Sequence, residues 1–87
     1  MNETWKITVD VVVGDDDGTA HAVLTKQNGE TVEGYGRARR NPDDEPHTEV
    51  GQELATARAL RDLADRLLRA TSDDLSKFEH QRIRLAR

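Results

Sequence analysis

Apolar and polar side chains alternate over the first segment of the chain. One side of this alternation holds Trp5, Ile7, Val9, Val11 and Val13, and the other holds Lys6, Thr8 and Asp10. A period of two residues is typical of a β-strand with one buried face. We therefore predict a first strand over residues 4–13.

A cluster of turn residues follows this strand. The segment Gly14-Asp15-Asp16-Asp17-Gly18 has no apolar periodicity, and glycine and aspartate favour turns. The alternation resumes over residues 19–26, where Ala20, Ala22 and Leu24 are in phase. The pattern predicts a second strand that forms a hairpin with the first.

The connection to a third strand, predicted over residues 31–39, sets the register of the sheet. A two-residue turn at Asn28-Gly29 would place Leu24 opposite Glu33. A three-residue loop that starts one residue earlier, with its glycine in the left-handed conformation, places Leu24 opposite Val32 and keeps the apolar residues on one face. We predict the three-residue loop.

In this register Gly34 and Gly36 both lie on the core side of the third strand. Glycine weakens a strand, and two glycines on one face often mark a place where another backbone comes close. A helix packed tightly over the third strand is the simplest neighbour of this kind. Bulges or irregular bends are the alternative.

A long helix is predicted over about residues 49–70, after a polar loop at 40–48. Thr48 is a candidate N-cap, and Glu49 carries a negative charge where the helix dipole favours it. The apolar residues recur at spacings of three and four and form one wide stripe. The stripe consists of Val50, Leu54, Ala57, Leu60, Leu63, Ala64, Leu67 and Leu68, and charged residues including Arg58, Asp62 and Arg66 fill the other side.

The segment Thr71-Ser72-Asp73-Asp74 has the composition of a helix stop followed by a new N-cap. It predicts a short second helix over about residues 73–80. The expected fold is α+β, a single domain of residues 1–87. It consists of a three-stranded antiparallel β-meander packed against one long helix, followed by a short C-terminal helix.

Composition limits the range of functions. A domain of 87 residues has a thin stability margin that dimerisation would improve. The chain has no cysteine and no long apolar run, so we expect a cytoplasmic protein without disulfides or a membrane span. The net charge of -4 disfavours nucleic-acid binding by bulk electrostatics. Basic residues are concentrated after Gly36, with a C-terminal cluster at Lys77, Arg82, Arg84 and Arg87.

Catalytic chemistry has little support in the sequence. The three histidines fall on different elements without metal-ligand spacing, although His47 lies beside an acidic segment. The aspartate run at 15–17 lacks the alternating ligands of a calcium loop. Ser72 and Ser76 have no obvious base nearby. We expect no enzymatic activity, no metal site and no cofactor.

The outer face of the predicted sheet is the candidate partner-binding site. The register places Tyr35 opposite His21, with Arg37 and Arg39 farther along the same face and Val12 also there if a bulge shifts its phase. Arg40 follows directly. An aromatic ring, a histidine and arginines together suit a protein interface or RNA contacts, whereas scattered singly they carry no meaning.

Two segments resemble a known family. They are residues 34–42, GYGRARRNP, and residues 50–64, VGQELATARALRDLA. The resemblance is to small actinobacterial proteins of unknown function classed as double-stranded-RNA-binding-domain-like, which include mycobacterial proteins associated with dormancy. It extends from Trp5 to about Arg82, and it implies a βββα core, a dimer as a common assembly and a likeness of shape to ribosome hibernation factors.

The resemblance leads to a non-catalytic interaction protein, a homodimer acting in stress or dormancy and on the ribosome. Direct binding of double-stranded RNA through the arginines is the alternative, and an enzyme is a third. RNA-binding members of the wider fold place lysines at the start of the long helix, where this chain has Glu49 and Glu53. Acidic groups there repel phosphates. The outer sheet face and the strand edges both remain open as dimer contacts.

Overall fold

Three strands and one helix follow one another along the chain: β1 (Lys6–Val13), β2 (Asp17–Thr25), β3 (Thr31–Arg39) and α1 (Thr48–Leu85). The computed structural model describes residues 1–14, 17–39 and 48–85, with side chains for 1–14, 17–39 and 49–77. The strands are antiparallel, β2 lies between the other two, and α1 packs on one face of the sheet. We call this the inner face and the opposite one the outer face. The predicted α+β fold, a meander against one long helix, is confirmed.

The register between β2 and β3 is the predicted one. Leu24 pairs with Val32, and the loop is closed by hydrogen bonds from the backbone N–H of Lys26 to the carbonyl of Glu30 at 2.8 Å and from Gly29 N–H to the carbonyl of Lys26 at 3.0 Å. Gly29 has a φ of 91°, the left-handed conformation that the three-residue loop requires. The apolar residues of both strands therefore share the inner face.

Gly34 and Gly36 lie where α1 comes closest to the sheet. A Cβ atom on Gly34 would overlap backbone atoms of Ala59 and Leu63, and one on Gly36 would overlap backbone atoms of Ala55 and Ala59. The prediction that these glycines admit a tightly packed helix is confirmed. Contact between two backbones fixes the distance between α1 and β3.

The buried core is built mainly of small side chains. Among the described residues, its members are Ala20, Ala22, Leu24, Ala38, Ala55, Ala59 and Leu63, with Val9, Val32 and Leu67 partly buried around them. Five of the seven buried residues are alanines, because a helix that touches glycines leaves room for little more than a methyl group. Most of the larger apolar side chains therefore lie outside the buried core.

The apolar stripe predicted on the long helix is not the surface that packs against the sheet. Of its eight members only Leu63 is buried, and Leu67 is partly buried, whereas Val50, Leu54, Leu60 and Leu68 are exposed. The glycines of β3 select the smallest side chains, so α1 turns Ala55 and Ala59 toward the sheet. This rotation leaves the rest of the predicted stripe facing away.

The inner face of β1 also departs from expectation. Val9 is partly buried, but Trp5, Ile7, Val11 and Val13 are 39–54% exposed. The reason is that α1 lies over β3 and β2 and only approaches β1. The prediction of a fully buried face on this strand is therefore wrong.

α1 continues without a break through residues 71–74, where the sequence suggested a stop and a second helix. The hydroxyl of Thr71 donates a hydrogen bond to the carbonyl of Leu67, four residues earlier, at 3.0 Å, so this side chain bonds within the helix and does not cap a new one. The helix extends well beyond the sheet. The radius of gyration is 18.1 Å, against about 12 Å for a compact chain of this length.

Candidate functional site on the outer sheet face

The outer face of the sheet carries polar and aromatic side chains from all three strands. His21 and Tyr35 face each other in the register of β2 and β3, as predicted. Val12 also lies on this face, paired with Thr19 in regular register. Val12 therefore reaches this face without the bulge on which its placement was made conditional.

The rings of His21 and Tyr35 are stacked. Their centroids are 4.6 Å apart and their planes differ by 5°. The backbone N–H of Tyr35 points away from β2, so the two residues form a non-hydrogen-bonded pair, the type in which facing side chains are closest. The register of the strands thus produces the stack.

Glu33 joins both rings from the same strand as Tyr35. The Tyr35 hydroxyl donates a hydrogen bond to Oε2 of Glu33 at 3.2 Å. This bond, and then the charge of the carboxylate, raises the pKa of Tyr35 above its usual value. Nε2 of His21 lies 3.5 Å from Oε1 of Glu33, within ion-pair distance, but it is shielded from solvent and has no partner in hydrogen-bond geometry.

Side chains of α1 reach around the edge of β3 to this group. Oδ2 of Asp62 accepts a hydrogen bond from the backbone N–H of Tyr35 at 2.8 Å and also contacts Nε of Arg66 at 3.1 Å. The hydrogen bond from Tyr35, and then the positive charge of Arg66, holds the pKa of Asp62 below its usual value. The guanidinium of Arg66 lies 5.2 Å from the centroid of the Tyr35 ring. We call His21, Glu33, Tyr35, Asp62 and Arg66 the Tyr35 cluster.

A second helix side chain contacts the same strand edge. Nη1 of Arg58 donates a hydrogen bond to the backbone carbonyl of Arg37 at 2.7 Å. Arg58, Asp62 and Arg66 were predicted as charged residues on the side of the helix away from its apolar stripe, and no pattern in the sequence indicates that they reach β3. Their contact depends on how α1 is rotated on the sheet.

The predicted arginines differ in their surroundings. Nη2 of Arg37 lies 2.8 Å from Oδ2 of Asp17, a charge-paired contact across β2 and β3. Arg39 is exposed at the end of β3. Arg40 lies outside the described residues, as does His47. The structure thus brings His21, Tyr35 and Arg37 onto one face, with acidic partners beside them.

Between the side chains of β1 and β3 the outer face forms an open depression of about 500 Å³. Its walls include Asp10, Val12, Tyr35 and Arg37, and Thr19 and His21 lie between them. Both charge signs and both polar and apolar groups line it, as in the rim of a protein interface. Within the described ranges, no three metal-ligating side chains converge, and no helix combines the length and apolar composition that a bilayer crossing requires.

Comparison with known proteins gives consistent matches over most of the chain. The model of the family described as Rv2632c-like matches residues 3–84. The uncharacterised protein Rv2632c of Mycobacterium tuberculosis is 40% identical over 74 residues, covering 84% of this chain and 80% of that protein. The uncharacterised protein Mb1767 of Mycobacterium bovis is 41% identical over 80 residues, covering 90% and 84%. The crystal structure of Rv2632c has a TM-score of 0.82 at 40% identity and covers 92% of this chain and 94% of that one.

Proposed function

The chain belongs to the Rv2632c-like family, and we propose that it is a non-catalytic interaction protein that works as a homodimer. The observation that carries this proposal is the distribution of apolar side chains. Among the residues with described side chains, the core consists of five alanines and two leucines, while large apolar side chains on β1 and α1 are exposed. Complete burial of a fully exposed side chain of this size contributes about 1.5–3 kcal/mol. These side chains are 39–65% exposed, so covering each one contributes roughly half of that and favours association.

These apolar residues are concentrated in two regions. One is the inner face of β1, with Ile7, Val11 and Val13, and the other is the solvent side of α1, with Val50, Leu54 and Leu68. Single exposed apolar residues are ordinary, but contiguous groups mark interaction surfaces. The side chains in both regions are ones that the sequence pattern assigns to the core.

The polar groups of the outer face support a contact role and not catalysis. In the Tyr35 cluster, Glu33 accepts from Tyr35, and Asp62 accepts from the backbone of Tyr35 and contacts Arg66. These bonds hold the side chains in place by internal pairing. In this arrangement the two carboxylates serve to position Tyr35 and Arg66.

Light scattering of the full chain tests the homodimer. At tens of micromolar the expected mass is about twice the 9.8 kDa of one chain. A strictly monomeric mass at that concentration would contradict the proposal.

We propose further that the dimer acts in stress or dormancy on ribosomal particles, through the outer sheet face. The support is the family resemblance of residues 34–42 and 50–64, together with the mixed charge of that face. In a sucrose gradient of lysate from stressed cells, the protein should travel with ribosomal particles at moderate salt. Arg39→Glu should abolish this, whereas Lys77→Glu, the same charge reversal on α1 beyond the sheet, should not. Migration only at the top of the gradient would contradict the ribosomal role and leave the homodimer untouched.

Direct binding of double-stranded RNA is the alternative for the same face. It requires arginines directed at phosphates, and Arg37 is paired with Asp17, while the ring of Tyr35 already stacks on His21. Gel shifts with a duplex RNA at two salt concentrations separate the two functions. A shift at low salt that disappears steeply as salt rises would favour RNA binding, and no shift at low salt would exclude it.

A further inference from the structure

α1 carries a second apolar surface that the fold does not use. We call it the outer seam, and its members are Val50, Leu54, Ala57, Arg61, Ala64, Leu68, Thr71 and Leu75. The spacing alternates strictly between four and three residues, which is the a/d repeat of a coiled coil. All eight are exposed, including Leu54 at 42%, Leu68 at 65% and Leu75 at 57%.

The outer seam points directly away from the sheet. Successive helix residues are rotated by about 100°. On this basis the mean direction of the seam positions is opposite to that of Ala55, Ala59 and Leu63, which are the buried residues of α1 within 49–77. The sheet of the same chain therefore cannot cover the seam. None of the described residues covers the seam, which leaves it open to a second molecule.

The seam also continues where the sheet ends. Beyond Leu67, the side of α1 that faced the sheet becomes polar, with Asp73, Asp74 and Lys77, whereas the seam continues through Leu68 and Leu75. A helix that packs only against this sheet is expected to have polar residues, not leucines, on its opposite side over this stretch. The pattern instead fits a partner helix that runs along α1 for about 26 residues, or roughly 39 Å.

We infer that the occupant of the outer seam is the α1 helix of a second copy, packed antiparallel. This inference rests on the proposed homodimer and assigns its contact surface. An antiparallel pair places Val50 against the partner's Leu75, Leu54 against the partner's Thr71, Ala57 against the partner's Leu68 and Arg61 against the partner's Ala64. Leu54, Leu68 and Arg61 each meet a smaller side chain, which is the complementarity that close helix packing needs.

Charge favours the same orientation. A parallel pair in register would bring Arg61 of one copy against Arg61 of the other in a single layer, whereas the antiparallel pair sets each Arg61 against the partner's Ala64. The antiparallel pair also sets Glu53 near the partner's Asp74, a like-charge contact at the exposed rim, where its cost is small. The central arginine thus disfavours the parallel pair.

Disulfide trapping tests the orientation, because the chain has no cysteine of its own. The variants Leu54→Cys and Thr71→Cys each carry one thiol. The two variants are mixed in equal amounts, left to exchange subunits and then mildly oxidised. The expected product is a disulfide-linked pair of the two different variants, while neither variant alone cross-links efficiently. Efficient cross-linking of Leu54→Cys with itself would overturn the antiparallel arrangement in favour of a parallel one.

A charge substitution tests the surface itself. Leu68→Glu should raise the dimer dissociation constant at least ten-fold in light scattering, and Lys77→Glu, on the side of α1 away from the seam, should leave it within about two-fold. If Ile7→Glu, in the other apolar region, dissociates the dimer and Leu68→Glu does not, the seam is not the interface although the homodimer stands. A wild-type chain that is monomeric overturns both the seam and the homodimer.

Discussion

The backbone N–H of Tyr35 donates a hydrogen bond to Oδ2 of Asp62 over 2.8 Å, so a helix carboxylate occupies a hydrogen-bonding position on the free edge of β3. One turn earlier on α1, Arg58 occupies a second position by donating to the carbonyl of Arg37. Unpaired edges of this kind are templates for further strands. The two side chains therefore dock the helix and at the same time occupy two hydrogen-bonding positions of that edge.

The Asp62 contact predicts a loss of stability in acid. Because the pKa of Asp62 is lowered in the folded chain, its contribution is complete above the unfolded value of about 3.9 and disappears as pH falls through the folded value. Wild type should therefore exceed Asp62→Asn in unfolding free energy at about pH 7, and the difference should shrink toward about pH 3. Urea unfolding followed by circular dichroism measures both.

The matched control for this experiment is Asp73→Asn, which removes the same charge from α1 beyond the sheet. The loss of the Asp62→Asn difference toward low pH should exceed the loss seen with this control. An equal pH dependence of the two variants would show that the contact with Tyr35 contributes nothing.

The close approach of α1 to β3 predicts a strong effect of a single methyl group. Gly36→Ala should lower the unfolding free energy by about 3 kcal/mol, since the added Cβ meets backbone atoms of Ala55 and Ala59 that cannot rotate away. Gly51→Ala is the control, because its Cβ would meet nothing within 4 Å. It should instead stabilise the helix by up to about 1 kcal/mol. Equal effects of the two substitutions in thermal or urea unfolding would contradict this packing.

The chain has a single tyrosine, so its titration reports the Tyr35 cluster directly. Ultraviolet absorbance of the tyrosinate should give a pKa above the usual value of about 10. Glu33→Gln removes the charge that opposes deprotonation and should lower that pKa. Glu30→Gln, a substitution in the preceding loop, should leave it in place, and an unchanged titration in Glu33→Gln would rule out the hydrogen bond.

The loop between β2 and β3 predicts a graded series at Gly29. With φ at 91°, Gly29→Ala should cost about 1–2 kcal/mol of unfolding free energy, because the left-handed region is unfavourable for a Cβ. Gly29→Asn should cost less, since asparagine tolerates this region better. The space around Gly29 is open, so equal stability of all three chains would mean that the left-handed conformation is not maintained.

Local pattern predicts the sheet well. The parity of apolar residues on two strands and one glycine in the loop determine which residues face each other, and this brought His21 opposite Tyr35 and explained Gly34 and Gly36. These inferences need only neighbours along a hairpin. The period of two residues is the same whether or not a helix covers the strand.

The rotation of the long helix is not local, and it was missed. A helical wheel shows that Leu54, Leu63 and Leu68 are apolar, but it does not show which of them meets the sheet. The glycines of β3 determine how α1 is rotated, because the surface that they form has room for Ala55 and Ala59 but not for a stripe of leucines. For the same reason Asp62 and Arg58 appeared as solvated charges, although they contact β3. When one helix has two apolar surfaces, periodicity alone does not determine which of them packs against the sheet.

The occupied positions on the β3 edge affect how far a sheet could extend from one molecule to the next. Such extension needs two free strand edges on every molecule. Here α1 occupies positions on one of the two sheet edges through Asp62 and Arg58. A second chain that paired with β1 would present its own β3 outward, with the positions at Tyr35 and Arg37 already occupied. Extension of the sheet beyond two molecules is thereby disfavoured by the same two side chains that hold the helix on the sheet.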